Sequence, residues 1–391
     1  MVRLHAALIA TPLLLSACAT PPRDEPPVRT VAPTPSSEPA SAPRLPTVEV
    51  IAWGVIPTDH DTFGRIGGLS GALFREHRDE NGERSPLDRR AMAPVEFVSD
   101  HPDQPRTLHA GLRLQRTHDG YSIEITFDYE DRLEWADATD AEAIARLPVG
   151  DGELYACAFE APPTIVVREY DPSQPWRVRH RTPNIPQRVT EGARPNRAFE
   201  SVAITPDATI WCATEAALET DGEEATTASG TRCVVLTGDA HALNESYFYD
   251  TDPMPRHLGG FAIQSLVELE ALPDGRLLAL ERSLTLPAGY GARLFLLDGS
   301  TRPAPTDPAA NPTRLPVLNK FLIADLAKLS TKVGVPWIGN LEGLALGPEI
   351  ATLTGDPDER GRLLLVVADD NFGADIQKSG SRVLALRYID D

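Results

Sequence analysis

The chain has 391 residues, 41% of them hydrophobic, which is enough apolar material for one large domain or two medium ones. Its 57 acidic and 37 basic residues leave a formal charge of −20. That charge excludes nucleic acid as a partner and excludes docking of the folded surface on anionic lipid; it suits a protein that meets cations.

The N-terminus reads as an export signal. Arg3 and His5 precede the apolar run Ala6 to Leu15, and the small residues of Leu15-Ser16-Ala17-Cys18 follow. The run is too short to span a bilayer as a helix, and no later run is long enough. Leu-Ser-Ala-Cys resembles the bacterial lipoprotein signal, which implies cleavage before Cys18 and a lipid on Cys18. Ala19 beside it, in place of Asp, points to the outer membrane or periplasmic face. From Ala19 to about Pro46 the chain is Pro, Ala, Ser, Thr and charge, the composition of a semi-rigid tether. The expected division is therefore signal peptide 1–17, tether 18–46 and folded domain 47–391. The domain is expected as a monomer in the cell envelope, meeting the membrane only through the lipid.

Beyond the tether, short runs rich in Val, Ile, Leu, Tyr and Phe alternate with Gly, Pro, Asp and Asn clusters, so the domain reads as all-β. One helix is expected, around Asn319 to Leu329, where Leu322, Ile323, Leu326 and Leu329 share a face. The strands repeat a pattern. Gly67–Phe74 is answered by Phe97–Asp100, and Asp140–Pro148 by Leu154–Glu160. Phe199–Asp207 is answered by Ile210–Glu215, Ser265–Gly275 by Leu277–Arg282, and Asn340–Pro348 by Leu363–Asn371. Glu142, Glu200 and Glu342 each stand six residues before the turn proline, a place taken by Val267 in the Ser265 unit. Units begin roughly 60 to 75 residues apart, enough for a four-stranded sheet each. Such sheets close into a β-propeller. Five units are recognisable and a sixth is expected in His109 to Trp135, so six blades are expected, with five or seven open.

Cys212 and Cys233 flank a loop centred on Asp221-Gly222, which leaves open a disulfide across two strands. Cys157 reads as a buried thiol. No cysteine or histidine spacing suggests a zinc site. Gly68-Leu69-Ser70-Gly71-Ala72 falls one residue short of a nucleophile elbow, and no helical pattern follows it, so it reads as a tight turn.

In a propeller, residues at one phase of the innermost strands form a ring about the axis. Glu142, Glu200 and Glu342 are expected there, joined by Asp100, Glu160, Glu215, Glu281 and Asp370 from the following strands. Crowded carboxylates either hold protons or bind a cation, and oxygen-rich irregular sites favour calcium. The rival reading pairs the acids with Arg197, Arg282 or backbone amides to lock the blades together.

Several ordered motifs carry a family resemblance: Gly67-Gly68-Leu69-Ser70-Gly71, Ser99-Asp100, Asp140-Ala141-Glu142, Asn196-Arg197-Ala198-Phe199-Glu200, Leu272 to Arg282, Asn340 to Leu344 and Asp369-Asp370-Asn371. Together they resemble the bacterial "esterase-like activity of phytase" family over about residues 50 to 389. The resemblance implies a secreted propeller-like domain that hydrolyses esters or phosphoesters. Calcium-dependent propeller phytases resemble Asp-Ala-(Asp/Glu)-Asp-Pro-Ala at their metal site, where this chain reads Asp140-Ala141-Glu142-Ala143. Small anionic esters or phosphoesters are thus expected as substrates in place of a hexaphosphate. The expected mechanism has calcium on Glu142, Glu200, Glu342, Asp370 and Asp100, with Glu215 as general base beside Glu200. Arg197 or Arg282 would neutralise charge on the substrate. Two alternatives stand beside it: a non-catalytic propeller that binds a protein or glycan, and a calcium-dependent lactonase-like hydrolase.

Overall fold

The computed structural model describes residues 44–60, 63–75, 92–100, 105–133, 138–149, 152–170, 179–255, 262–286, 289–302, 315–336, 338–370 and 380–390. The signal, most of the tether and Cys18 lie outside these residues, as do Trp135 and Asn371. Residues Pro43–Asp391 form one compact unit.

Its strands fall into successive antiparallel sheets. β1 (Thr47–Ile56) is followed by the small pair β2 (Asp59–His60) and β3 (Gly64–Arg65). The first blade is β4 (Leu69–Phe74), β5 (Ala93–Ser99), β6 (Arg106–Thr117) and β7 (Gly120–Arg132). The second is β8 (Thr139–Val149), β9 (Gly152–Ala161), β10 (Thr164–Tyr170) and β11 (Arg179–Arg181). After α1 (Gln187–Gly192), the third is β12 (Phe199–Ile204), β13 (Ile210–Thr214), β14 (Arg232–Gly238) and β15 (Leu243–Asp250). The fourth begins with β16 (Ala262–Ala271), β17 (Leu277–Thr285) and β18 (Gly289–Leu297). The chain then lends β19 (Thr301–Arg302) and β20 (Val317–Leu318) to the third sheet, and β21 (Phe321–Asp325) completes the fourth. After α2 (Leu326–Lys332), the fifth is β22 (Asn340–Glu349), α3 (Ile350–Thr354), β23 (Arg362–Asp369) and β24 (Ser381–Ile389). β1 closes that sheet from the other end of the chain, in register from Thr47 opposite Ile389 to Ile56 opposite Ser381.

The inner strands β4, β8, β12, β16 and β22 each pack on the next, and β22 returns to β4, making a five-bladed β-propeller. The apolar core is divided among the blade interfaces. Strand periodicity sorts it: Leu364, Val366 and Ala368 of β23 face the fourth blade, while Leu363, Leu365 and Val367 face the first. Both faces are buried, which is why the inner strands read as continuous apolar runs.

Three expectations change. Among the described residues the blades number five, the count left open beside six: His109 and Tyr121–Phe127 belong to β6 and β7, the outer strands of the first blade. The clean alternation there reflects a half-exposed outer strand. The helix starts later than its periodicity suggests. Phe321 and Leu322 pair with Leu296 and Phe295 as strand, and Asp325 caps α2 by accepting the Lys328 N–H. Cys212 and Cys233 are free buried thiols. Cys212 stands opposite Leu236, three positions from Cys233, so the two point to opposite faces of the sheet.

The ring is tight at its centre. A Cβ on Gly343 would lie 2.4 Å from Val367 Cγ2 and 3.1 Å from the backbone of Gly71 in the first blade. Gly343→Ala should therefore destabilise the fold by about 1–3 kcal/mol, read as a lower urea midpoint. An unchanged midpoint would show that the inner strands have slack.

Candidate functional site

All five inner strands are irregular at the same height. The pairing skips Ser70 in β4, Glu142 in β8, Glu200 in β12, Val267 in β16 and Glu342 in β22. A bulged residue has no cross-strand partner, and the local bend re-aims its side chain. The second strand of each blade reaches this level, and all but β17, which runs on to Thr285, end near it. Ser99 lies opposite Leu69 and is followed by Asp100, while Thr214 lies opposite Phe199 and is followed by Glu215. Glu281 lies opposite Leu266, and Asp369 opposite Asn340. One mouth of the ring thus collects the acids.

These acids divide into two halves. In the first, Asp100, Asp140 and Glu142 offer oxygens within 4.8 Å of one another, and so do Glu142, Glu160 and Glu200, with Glu142 common to both sets. Glu142 and Glu200 are each only 7% exposed. Glu200 makes no hydrogen bond or ion pair among the described residues. Asp100 Oδ1 is buried without a hydrogen-bond partner there. Glu160 is anchored by the Ala198 N–H, which donates to Oε1 at 2.7 Å. Asp140 holds φ 66°, and Asn196, next to Arg197, holds φ 50°. Left-handed backbone costs a non-glycine residue about 1–3 kcal/mol, and such strain gathers at functional sites.

The second half is locked by arginine. Glu215 Oε1 accepts from Arg197 Nη1 at 2.6 Å and from Arg282 Nη2 at 2.5 Å, while its Oε2 accepts from Arg197 Nη1 at 2.7 Å. Arg282 Nη1 also donates to Asn340 Oδ1 at 2.8 Å and to Glu342 Oε1. Burial alone would lower Arg282, but Glu342, Glu215 and Glu200 outweigh it and hold the guanidinium above its ordinary value.

The predicted residues therefore part company. Asp100, Glu142 and Glu200 come together as expected. Glu342 faces Arg282 and Asn340 instead, and Asp370 accepts from Thr58 Oγ1 at 2.6 Å and the Gly68 N–H at 3.3 Å. Glu215 is unsuited to act as general base, since two guanidiniums occupy its oxygens. Glu281 is enclosed by Tyr249, Gln264, Lys320 and the Asp252 N–H, a structural network. Asp140 and Glu160 take the places given to Glu342 and Asp370. Their signals were the Asp140-Ala141-Glu142 spacing and the position of Glu160 at the end of its strand.

Electrostatics sharpen the contrast. Burial pushes Glu142 and Glu200 well above the carboxylate range, with Glu200 and Asp100 adding to the first, and Glu215 and Glu160 to the second. Asp100 is pushed up to about 9 by burial and by Asp369, Glu342 and Asp140. Glu342 reaches about 8 through burial, opposed by Arg282, and Glu160 about 7 through burial, opposed by the Ala198 N–H. A crowded, oxygen-only set with a buried carboxylate lacking any protein partner fits a hard cation such as calcium.

The chain matches the Phytase-like family, described as esterase-like activity of phytase, over residues 65–372. No curated protein matches it.

Carboxyls with raised values keep their protons to higher pH in the fold than in the unfolded chain. The folded state then binds more protons between the two values, and stability falls as pH rises. In chelating buffer the melting temperature should drop from about pH 5 to about pH 9, the interval in which the unfolded chain has lost the protons that Glu160, Glu342 and Asp100 give up in the fold only at about 7, 8 and 9. Calcium added at the alkaline end should restore it. Calorimetric scans that stay level or rise with pH would contradict this electrostatic picture.

Proposed function

Because this chain belongs to the Phytase-like family, described as esterase-like activity of phytase, we propose that it hydrolyses small esters or phosphoesters at the acid mouth, with calcium as cofactor. Asp100, Asp140, Glu142 and Glu200 would hold the ion, which would supply Lewis acidity toward a phosphoryl or acyl oxygen. The observation that carries the reading is Glu200: a buried carboxylate among other acids, with no hydrogen bond or ion pair among the described residues.

The chain's own groups divide the remaining work. Glu160 takes the role of general base. One of its oxygens is fixed by the Ala198 N–H at 2.7 Å, it stands beside Glu142 and Glu200, and no arginine is bonded to it among the described residues. Arg197 is more open than Arg282, with 18% of its side chain exposed against 7%, and its Nη2 is uncommitted among the described residues. It is placed to neutralise a substrate anion. Arg282, clamped by Glu215, Glu342 and Asn340, acts as the fixed counter-charge that keeps the mouth from being wholly negative. We place the protein in the cell envelope, held by a lipid on Cys18, on the strength of the signal and the Pro-rich tether in its sequence.

The test is turnover of p-nitrophenyl acetate, p-nitrophenyl phosphate and a simple lactone with calcium or chelator. Glu160→Gln should lower kcat by about 100-fold or more, while Arg197→Gln should act mainly through KM for the charged substrate. Calcium binding with no turnover of any substrate would overturn the enzymatic reading and leave a propeller that binds a protein or glycan partner.

A further inference from the structure

The mouth of the ring opposite the acids holds a second cavity, of about 250 Å³. The far ends of all five inner strands line it, through Phe74, Arg146, Ile204, Glu270 and Leu346, and Arg362 joins them from the start of β23. It is smaller than the roughly 300–1,000 Å³ sites that take drug-sized ligands. The tight approach of Gly343, Gly71 and Ala143 separates it from the acid mouth, since a Cβ on Gly71 would lie 3.0 Å from Ala143 Cα.

Its polar groups are few and distinct. Arg362 donates Nε to the Gly347 carbonyl at 2.9 Å, and its two Nη groups bond to nothing among the described residues. Glu270 accepts the Leu346 N–H on Oε1 at 2.8 Å and has no further partner there. Burial pushes Glu270 up to about 8 against the pull of that N–H and of Arg362, so near neutrality its carboxyl carries a proton it can donate. Arg146 is committed to Glu153 and lies over the Tyr155 ring at 5.8 Å. The remaining wall is largely aliphatic, aromatic and proline.

We propose that this mouth binds a small monocarboxylate with an apolar body. Its carboxylate would lie on the Arg362 fork and the Glu270 carboxyl, and its hydrocarbon against the ends of the inner strands. One guanidinium with both Nη groups open, beside a neutral acid, matches one negative charge; a phosphate dianion would leave its second charge uncompensated in the cavity. The site shares no residue with the acid mouth, so it stands whether or not the protein is a hydrolase.

Calorimetric titration of hexanoate, hexanol and inorganic phosphate into the intact protein tests it. Hexanoate should bind saturably, and the other two should not. Arg362→Gln should weaken hexanoate by about tenfold or more, the worth of a charge-assisted pair. Arg362→Lys, which keeps charge but loses the fork, should fall between. Glu270→Gln, still able to donate, should bind more tightly than Arg362→Gln, and Glu200→Gln should bind like wild type. No saturable hexanoate binding up to about 10 mM, equal binding by the Arg362 variants and wild type, or phosphate binding that is as tight as hexanoate's and is lost in Arg362→Gln would each overturn the proposal.

Discussion

The structure depends on one repeated backbone irregularity. Each inner strand inserts one extra residue at the same height, and the five bulges form a ring about the axis. A regular strand would send those side chains into the blade interfaces, where apolar residues pack. The bulge lets Glu142, Glu200 and Glu342 leave the core pattern without breaking it. The following residue must then be small where strands converge, as Gly71, Ala143 and Gly343 are.

Charge then decides what each part of the ring does. Seven acids, Asp100, Asp140, Glu142, Glu160, Glu200, Glu215 and Glu342, share the mouth with two arginines, and the arginines do not spread evenly. Arg282 and Arg197 concentrate on Glu215 and Glu342, which satisfies that half and fixes it in place. The other half has acids whose nearest neighbours are acids. Without a cation they hold protons, at a cost that grows with pH; with one, the same crowding becomes affinity. Structural locking, one of the two rival readings of the acids, accounts for one side of the ring, and the cation we propose would take the other.

Much of this was visible in the sequence, because a bulge is a repeat with a phase. The six-residue spacing from Glu142, Glu200, Val267 and Glu342 to a proline marks the bulge positions directly. Ser70 was harder to place, since its unit has no matching turn proline. Partner choice was not legible. Arg282 is adjacent in sequence to Glu281, yet it reaches to Glu215 of the third blade and Glu342 of the fifth, while Glu281 is taken by Lys320 and Tyr249. Six blades were expected ahead of five for a related reason: the long, half-exposed β7 alternates more cleanly than any inner strand, so an outer edge resembled a unit of its own. The cysteine pair failed on register, which symmetry about a loop does not fix.

The most direct measurement is a calorimetric titration of calcium into chelator-treated protein, comparing Glu142→Gln with Glu342→Gln. Glu142 is common to both carboxylate sets, whereas Glu342 is bound by Arg282. The account predicts that Glu142→Gln abolishes or strongly weakens calcium binding and that Glu342→Gln leaves most of it. Equal loss in both variants, or no binding by the wild-type protein, would contradict the division of the ring on which the account rests.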